Sequence, residues 1–455
     1  MKSTFSLRNS DRNLSNKIYN LKQRSNASLF AYMNNSIVTK KNIVWVKWSR
    51  IVYCAALVGI IVGLITLMFK NLVEEYEHLL FNKAQNFKLF FFIFPLIGLM
   101  IIHFLRTYVF NKKKNKGISE VLEAVRESKK LPAYKVPSHF FNGFLTVVFG
   151  GSTGIEVSTV VATATLGDMA SQKDPIFKKY RKEFIGSAIA CGVTLLFCSP
   201  LAGLFFSYET IGKQKTKVFW VTHLVSVGFA TLITFLMNVT PVFNLGNHET
   251  VIHYQAIPFF IALSILAGCY GVYMTKVVSF VKKNNFLDFS PYLQLLAGGV
   301  LLGCVLFIFP QLYGDGYHAI ESIIHHNSLF VSVSFWLLLG ALLLKPFATG
   351  FTLKLGGDGG VFAPSIFGGA IMGALVGFIV QKYFFADAQL INFVVLGVAL
   401  TVAATLHAPF TALFLTFGIF NSYALWLPLA ILVFISFYIS KKIFPYTVYT
   451  LALKK

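Results

Sequence analysis

The stretch GSTGIEVST, Gly151 to Thr159, decides how the rest of the chain reads. It sets one carboxylate, Glu156, inside a long apolar region, behind Gly150, Gly151 and Gly154 and ahead of the uncharged run Val157 to Leu166. Glycines ahead of such a run read as a loop feeding a helix start. The N–H groups of a first helical turn are unpaired and carry partial positive charge, so they attract anions. A carboxylate in a membrane segment is costly and points to function. The plainer alternative is a Glu that caps its own helix, a role it suits near an N-terminus.

Working outward, the composition places this stretch in a membrane. The 455 residues are 56% hydrophobic and only 13% charged, against about 25% charged in soluble domains. Apolar runs near bilayer length recur at 51–69, 88–110, 217–238, 256–280, 290–309, 329–350 and 389–404. These runs are continuous rather than alternating, which excludes a β-barrel pattern. The expected fold class is an all-α polytopic membrane protein. The net charge of +22 comes from 40 Lys and Arg against 18 Asp and Glu. Scattered among hydrophobic segments, these cations suit loops and helix ends near anionic lipid, not nucleic acid. They would also steer anions. Cys54, Cys191, Cys198, Cys269 and Cys304 lie in apolar stretches without metal-ligand spacing, so no metal is expected. The apolar regions hold no HExxH, paired-Asp or Ser/Lys arrangement, which argues against an enzyme, and no cofactor is expected.

In order along the chain, residues 1–43 are polar and basic, with Asp11 the one acid, and show no cleavable leader. They read as a cytoplasmic tail by the positive-inside bias. After two spans comes NKKKNKGISEVLEAV (111–125), a basic loop opening into a helix at Ile118 with Glu120 in its first turn. Then follow the focal stretch, a basic connector, and CSPLAGLFFSYET (198–210), where Pro200 suits a first helical turn. The second half holds the glycine-rich loop YGDGYHAI (313–320), adjacent His325 and His326 read as loop polarity, KLGGDGGVFAPSIFGGA (354–370), HAPFTALFLTFGI (407–419) and PYTVYTLALKK (445–455).

The two halves repeat. GSTGIEVST lies over GDGGVFAPS (357–365) at an offset of 206, and CSPLAGLFFSYE over HAPFTALFLTFG (407–418) at 209. In each pair a Gly- or Pro-marked break starts an apolar helix, with short elements expected at 156–166, 200–211, 361–380 and 408–418. Paired interrupted segments point to a binding site at the repeat interface near mid-membrane. Non-helical backbone at that depth is tolerated only where protein or a water-filled cavity covers it. The residues alone therefore suggest helix N-termini converging on an anion.

These motifs resemble the CLC family of chloride channels and proton-coupled chloride transporters. GGVFAP (359–364) matches the G-x-F-x-P signature, GIEVST (154–159) resembles G-R-E-G-P, KGISE (116–120) resembles G-S-G-I-P-E, and TVYT (447–450) resembles the terminal motif that supplies a tyrosine hydroxyl. The resemblance runs from about residue 45 to the end. It implies two inverted-topology repeats, 44–245 and 255–455, with many short, broken and tilted helices, and a homodimer with one anion pathway per subunit. It implies Glu156 as the gating glutamate, protonatable and in competition with anion. Anion contacts are implied at Lys116, Gly117, Ile118, Gly154, Ile155, Val157, Val361, Phe362 and the hydroxyl of Tyr449, with Tyr446 one turn earlier as the alternative tyrosine.

Four departures from the family pattern bear on mechanism. Lys116 stands at the family's serine and Ser119 at its proline; Ile155 replaces the arginine before the gating Glu, and Val157-Ser158 replace Gly-Pro. The Lys116 ammonium either binds the central anion by charge or, with the loop shifted, faces water. The fourth departure is Glu209-Thr210: the first acid of the proton pathway is present, while Thr210 stands at the second and does not titrate. Chloride transport with weakly coupled proton exchange is the expected function, the alternatives being a passive voltage- or pH-gated channel and a fluoride exporter. The expected partners are chloride or other small monovalent anions, protons and the bilayer, in a bacterial inner membrane with the N-terminus cytoplasmic.

Overall fold

The structure, a computed structural model, describes residues 4–111, 115–212, 216–243, 245, 253–284, 290–325 and 334–454, with side chains from residue 44 onward. Met1–Tyr53 forms one unit and Cys54–Lys455 a second. In the first unit the backbone is helical from Thr4, where the sequence reads as a tail; the side chains of that tail lie outside the described residues. So do Lys112, Lys113 and Lys114 of the basic loop, His326, and most of the connection between the proposed repeats.

The described elements of the second unit are all helical. Among the described residues of the chain, eight helices are long and apolar enough to cross a membrane, including Phe90–Val109, Lys217–Leu236, Tyr254–Lys283 and Phe362–Tyr383. Shorter ones lie between them: Glu156–Ser171, Arg181–Phe197, Pro200–Phe206, Leu390–Leu406 and Pro409–Phe420. Leu390–Leu406 and Pro409–Phe420 are apolar but shorter than those eight. The chain is an integral, multi-pass membrane protein.

Small residues let the innermost helices touch. A Cβ on Gly369 would lie 2.3 Å from the carbonyl oxygen of Gly397, one on Gly397 2.2 Å from that of Gly369, and one on Gly373 2.1 Å from that of Phe393. Backbone-to-backbone approach of this kind packs helices where water supplies no drive. Polar side chains in the interior donate across to carbonyls of a neighbouring helix, as Ser436 Oγ to Leu400 (2.9 Å) and Ser440 Oγ to Ala404 (2.7 Å). The outer faces carry large apolar side chains such as Phe235 and Ile431, which suit contact with acyl chains.

The internal repeat is visible in the hydrogen bonds. Asp358 N–H donates to Thr146 Oγ1 at 2.8 Å, and Ser152 N–H donates to Thr352 Oγ1 at 3.1 Å. The same offset of 206 relates both partners of the two bonds. The second offset, 209, relates Cys198 to His407, and both are left-handed non-glycine residues, at φ 51° and 55°. Each turns the chain from the end of one helix into the next, which Pro200 or Pro409 opens. Proline suits that first position because its missing N–H would be unpaired there anyway.

Candidate functional site

Glu156 is the first residue of helix Glu156–Ser171, and the chain enters it through Gly154 and Ile155. Gly154 is required by space: a Cβ there would lie 2.2 Å from Glu156 Oε2 and 2.5 Å from the Ala363 Cβ. The carboxyl group is buried. Oε1 accepts the Tyr317 hydroxyl at 2.9 Å. Oε2 makes no hydrogen bond of good geometry among the described residues, although the carboxylate faces the backbone N–H groups of Glu156 and Ala363. Ala363 is in the first turn of helix Phe362–Tyr383. The negative group therefore sits where two helices, one from each half, present unpaired N–H groups. A third element, helix Tyr317–His325, supplies the phenol.

Tyr449 closes a second position nearby. Its hydroxyl accepts Val361 N–H at 3.3 Å, and a Cβ on Gly360 would lie 2.7 Å from that hydroxyl and 2.2 Å from Val157. Gly117, with φ 67°, opens helix Ile118–Arg126, and a Cβ on it would meet Val157 Cγ1 at 3.3 Å. Ser119, at the proline position of the motif, donates to the Tyr449 carbonyl at 2.9 Å and so ties this helix to the tyrosine. Thr153 Oγ1 donates to the Gly360 carbonyl and accepts the Gly360 N–H, both at 2.8 Å, locking the two glycine loops together. Phe362 is fully buried, stacked on Phe197 at 5.2 Å between centroids. Gly117, Ile118, Gly154, Ile155, Glu156, Val157, Val361, Phe362 and Tyr449 thus belong to interlocking loops and helix starts.

Lys116 departs from the reading that put it on an anion. Its side chain is 65% exposed and its ammonium lies 3.8 Å from Glu123 Oε2. The positive φ of Gly117 turns the chain just before the helix, and Lys116 is left on the outer side. Of the two readings of this residue, the structure matches the one that faces water.

Glu209 and Thr210 lie in a π-helical turn, Ser207–Ile211, that continues helix Pro200–Phe206. Such turns are rare and concentrate at functional sites. The Glu209 carboxylate is held by Phe410 N–H (3.1 Å), Thr411 N–H (2.8 Å) and Thr411 Oγ1 (2.6 Å), so it caps helix Pro409–Phe420 of the other half. Thr210 Oγ1 is buried without a hydrogen-bond partner among the described residues. Ser207, in the same turn, bonds His223 Nε2 at 2.9 Å. His223 Nδ1 lies 2.8 Å from the Phe219 carbonyl, an acceptor only, so Nδ1 carries the proton and Nε2 accepts from Ser207 in the neutral ring.

Two buried charge clusters were not legible in the sequence. In the first, Glu120 holds Lys135 Nζ at 2.7 Å and His139 Nε2 at 3.2 Å, while His139 Nδ1 lies 2.7 Å from Asp358. In the second, Lys345 Nζ donates to the carbonyls of Gly314 (3.2 Å) and Asp315 (3.0 Å), and Glu77 Oε1 accepts Asp315 N–H at 3.3 Å. His139 and Lys345 are related by the same offset of 206. The repeat was the available signal, since it places a buried cation at matching positions.

The sequence model of the voltage gated chloride channel family matches residues 97–441. The chain belongs to this family, the CLC family. Among its relatives, an H(+)/Cl(-) exchange transporter ClcA of Vibrio vulnificus is 26% identical over 412 residues, covering 84% of each chain. A putative chloride channel protein ClcB-like of Ralstonia nicotianae is 25% identical over 326 residues, 69% of this chain and 74% of its own. Among solved structures, a slow cyanobacterial Cl-/H+ antiporter superposes with a TM-score of 0.76 at 21% identity, and a CLC-type fluoride/proton antiporter with 0.73 at 20%. Both matches cover 89% of this chain and 97% of the other. The CLC fold, with its paired broken helices, is therefore the fold of this chain.

Proposed function

We propose that this CLC protein carries chloride across a membrane and that Glu156 is its protonatable gate, in a weakly coupled exchange with protons. The observation that carries this reading is the placement of the Glu156 carboxylate against the helix starts of both halves. Ionised, it fills a place suited to an anion; protonated, it loses the attraction to those N–H groups and gives way. A chloride between the two positions would meet N–H groups near Val361 and Phe362 and the Tyr449 hydroxyl, framed by Gly117, Ile118, Gly154, Ile155 and Val157. The two repeats are 44–245 and 255–455, and the working form is a homodimer in a bacterial inner membrane with the N-terminus cytoplasmic. The exposed apolar helix faces suit either lipid or a second copy, and cross-linking in lipid decides between monomer and dimer.

Coupling is weak in this reading because Thr210 does not titrate and Glu209 is clamped as a helix cap. A proton crossing from that end would move over water at the bare Thr210 hydroxyl. The test is anion flux from proteoliposomes with pH recorded in parallel. Uphill proton movement under a chloride gradient supports exchange; proton flux that follows voltage alone makes the protein a channel. Relatives include both named channels and a named exchanger, and the fluoride/proton antiporter shares the fold. Fluoride and chloride gradients run side by side distinguish the two anions.

A further inference from the structure

Beside Glu156 lies a cavity of about 220 Å³, whose lining includes Glu74, Glu77, His78, Asp315, Tyr317 and Glu321. Its charge has one dominant sign. Four carboxylates face it, with Lys70 as the fixed cation and His78 and His318 as the imidazoles. An inlet for chloride would be lined by positive charge or bare N–H groups; this lining, when its acids are ionised, disfavours anions. Tyr317 joins the cavity to the gate. It lines the cavity, and its hydroxyl donates to Glu156 Oε1 at 2.9 Å.

The same residue is anchored on its other side. Tyr317 N–H donates to Asp315 Oδ1 at 2.8 Å. Asp315 N–H in turn reaches Glu77, and Lys345 Nζ holds the loop carbonyls from 4.8 Å above the Phe367 ring. The groups acting on Glu156 are Tyr317, Asp315, Lys345 and Tyr449. Around Glu156 the buried set holds three carboxylates, Glu77, Asp315 and Glu156, against one ammonium, Lys345, while the buried Lys70 pairs with Glu74 at 3.7 Å. Buried charge without a partner is costly, so a proton entering this set restores balance.

We propose that this acid-lined cavity is a proton-loading chamber, separate from the anion route, and that the Tyr317 hydroxyl passes protons from it to Glu156. The proposal rests on the reading of Glu156 as the gate. In the transfer, the Tyr317 O–H bond breaks as an O–H bond forms on Glu156 Oε1. The phenol oxygen takes a replacement proton from a water in the cavity, which draws it from the carboxyl of Glu77 or Asp315 or from the bulk. Nothing is oxidised, and the phenol is restored. Release runs the same steps backward.

The test uses the full chain in proteoliposomes, with chloride and proton flux recorded as pH is varied on each side in turn. Tyr317→Phe keeps the ring and removes the relay; proton turnover falls by about a hundredfold, the lower end of what a positioned proton-transfer group contributes. A small permeating weak acid added on the cavity side restores part of it, which a purely positional role of Tyr317 would not allow. Glu74→Gln with Glu321→Gln, at the cavity wall and without contact to Glu156, lowers proton turnover most at high pH on that side. The proposal is overturned by wild-type proton turnover in Tyr317→Phe, or by a loss that no weak acid restores together with an unchanged pH profile in the double variant. Glu156→Gln separates the two readings: if its flux still follows pH, the gate assignment fails, whereas flat flux there with wild-type behaviour of Tyr317→Phe refutes the chamber alone.

Discussion

Thr146 and Thr352 serve each other's half of the molecule: the hydroxyl of each accepts the first free N–H of the glycine loop that the other half contributes, from Asp358 and Ser152 respectively. The pairing makes the meeting of the two loops a mutual contact. The loops that lead to Glu156 and to Val361 are thus each tied to the opposite repeat.

Replacing either threonine by valine keeps the shape and deletes the acceptor. The orphaned buried N–H then costs about 1–3 kcal/mol. Both Thr146→Val and Thr352→Val are expected to lower the thermal unfolding midpoint in detergent by similar amounts, and the double variant to fall short of the sum because the loops share one interface. An unchanged midpoint for both would mean that water satisfies these groups.

Glu156→Gln mimics the protonated form of the proposed gate. Anion flux in this variant is expected to become nearly independent of pH on the side that supplies the proton, with proton transport lost. Pairing flux with isothermal titration checks the companion expectation that chloride binding tightens once the competing carboxylate is gone.

Lys116→Met removes an ammonium that the structure places in water beside Glu123. An exposed pair is worth at most about 1 kcal/mol. Chloride affinity is expected to stay within about fivefold of wild type, the binding equivalent of that 1 kcal/mol. A drop of an order of magnitude in titration with chloride would return Lys116 to the anion site.

Thr210→Glu restores a titratable group in the π-helical turn, where the hydroxyl lacks a partner among the described residues. It is expected to raise the number of protons moved per chloride. Glu209→Gln removes a charge held by two backbone N–H groups and is expected to destabilise the protein by about 1 kcal/mol, the usual value of a cap, measurable as a lower unfolding midpoint alongside weakened coupling.

Much of the fold was legible because its cues are local. Gly154, Pro200, Gly359 and Pro409 mark helix starts by backbone chemistry, and Glu156 stands out as a charge that apolar surroundings penalise. The offsets of 206 and 209 needed only the sequence laid over itself. What escaped was set by distance along the chain. Tyr317 meets Glu156 across 161 residues, and YGDGY reads as a glycine-rich loop until helix Tyr317–His325 is placed beside that carboxylate. Glu120, His139 and Asp358 are spread over three elements, so no spacing rule gathers them. The direction of Lys116 was open for a similar reason: a single left-handed glycine decides which way the preceding residue points.

The contact of Gly369 with Gly397 limits how this transporter moves. Two backbones touching without side chains between them have no cushion to slide on, and the threonine clasps hinder the loops above from parting. Large rocking of one repeat against the other would tear the clasps, while the glycine contact keeps the second repeat itself rigid. If Glu156 is the gate, as proposed, the transport cycle would fall to the swing of one acidic side chain within a stationary frame, a small and fast motion. Transport rate would accordingly be governed by the arrival of protons at Glu156 rather than by the viscosity of the lipid around the helices.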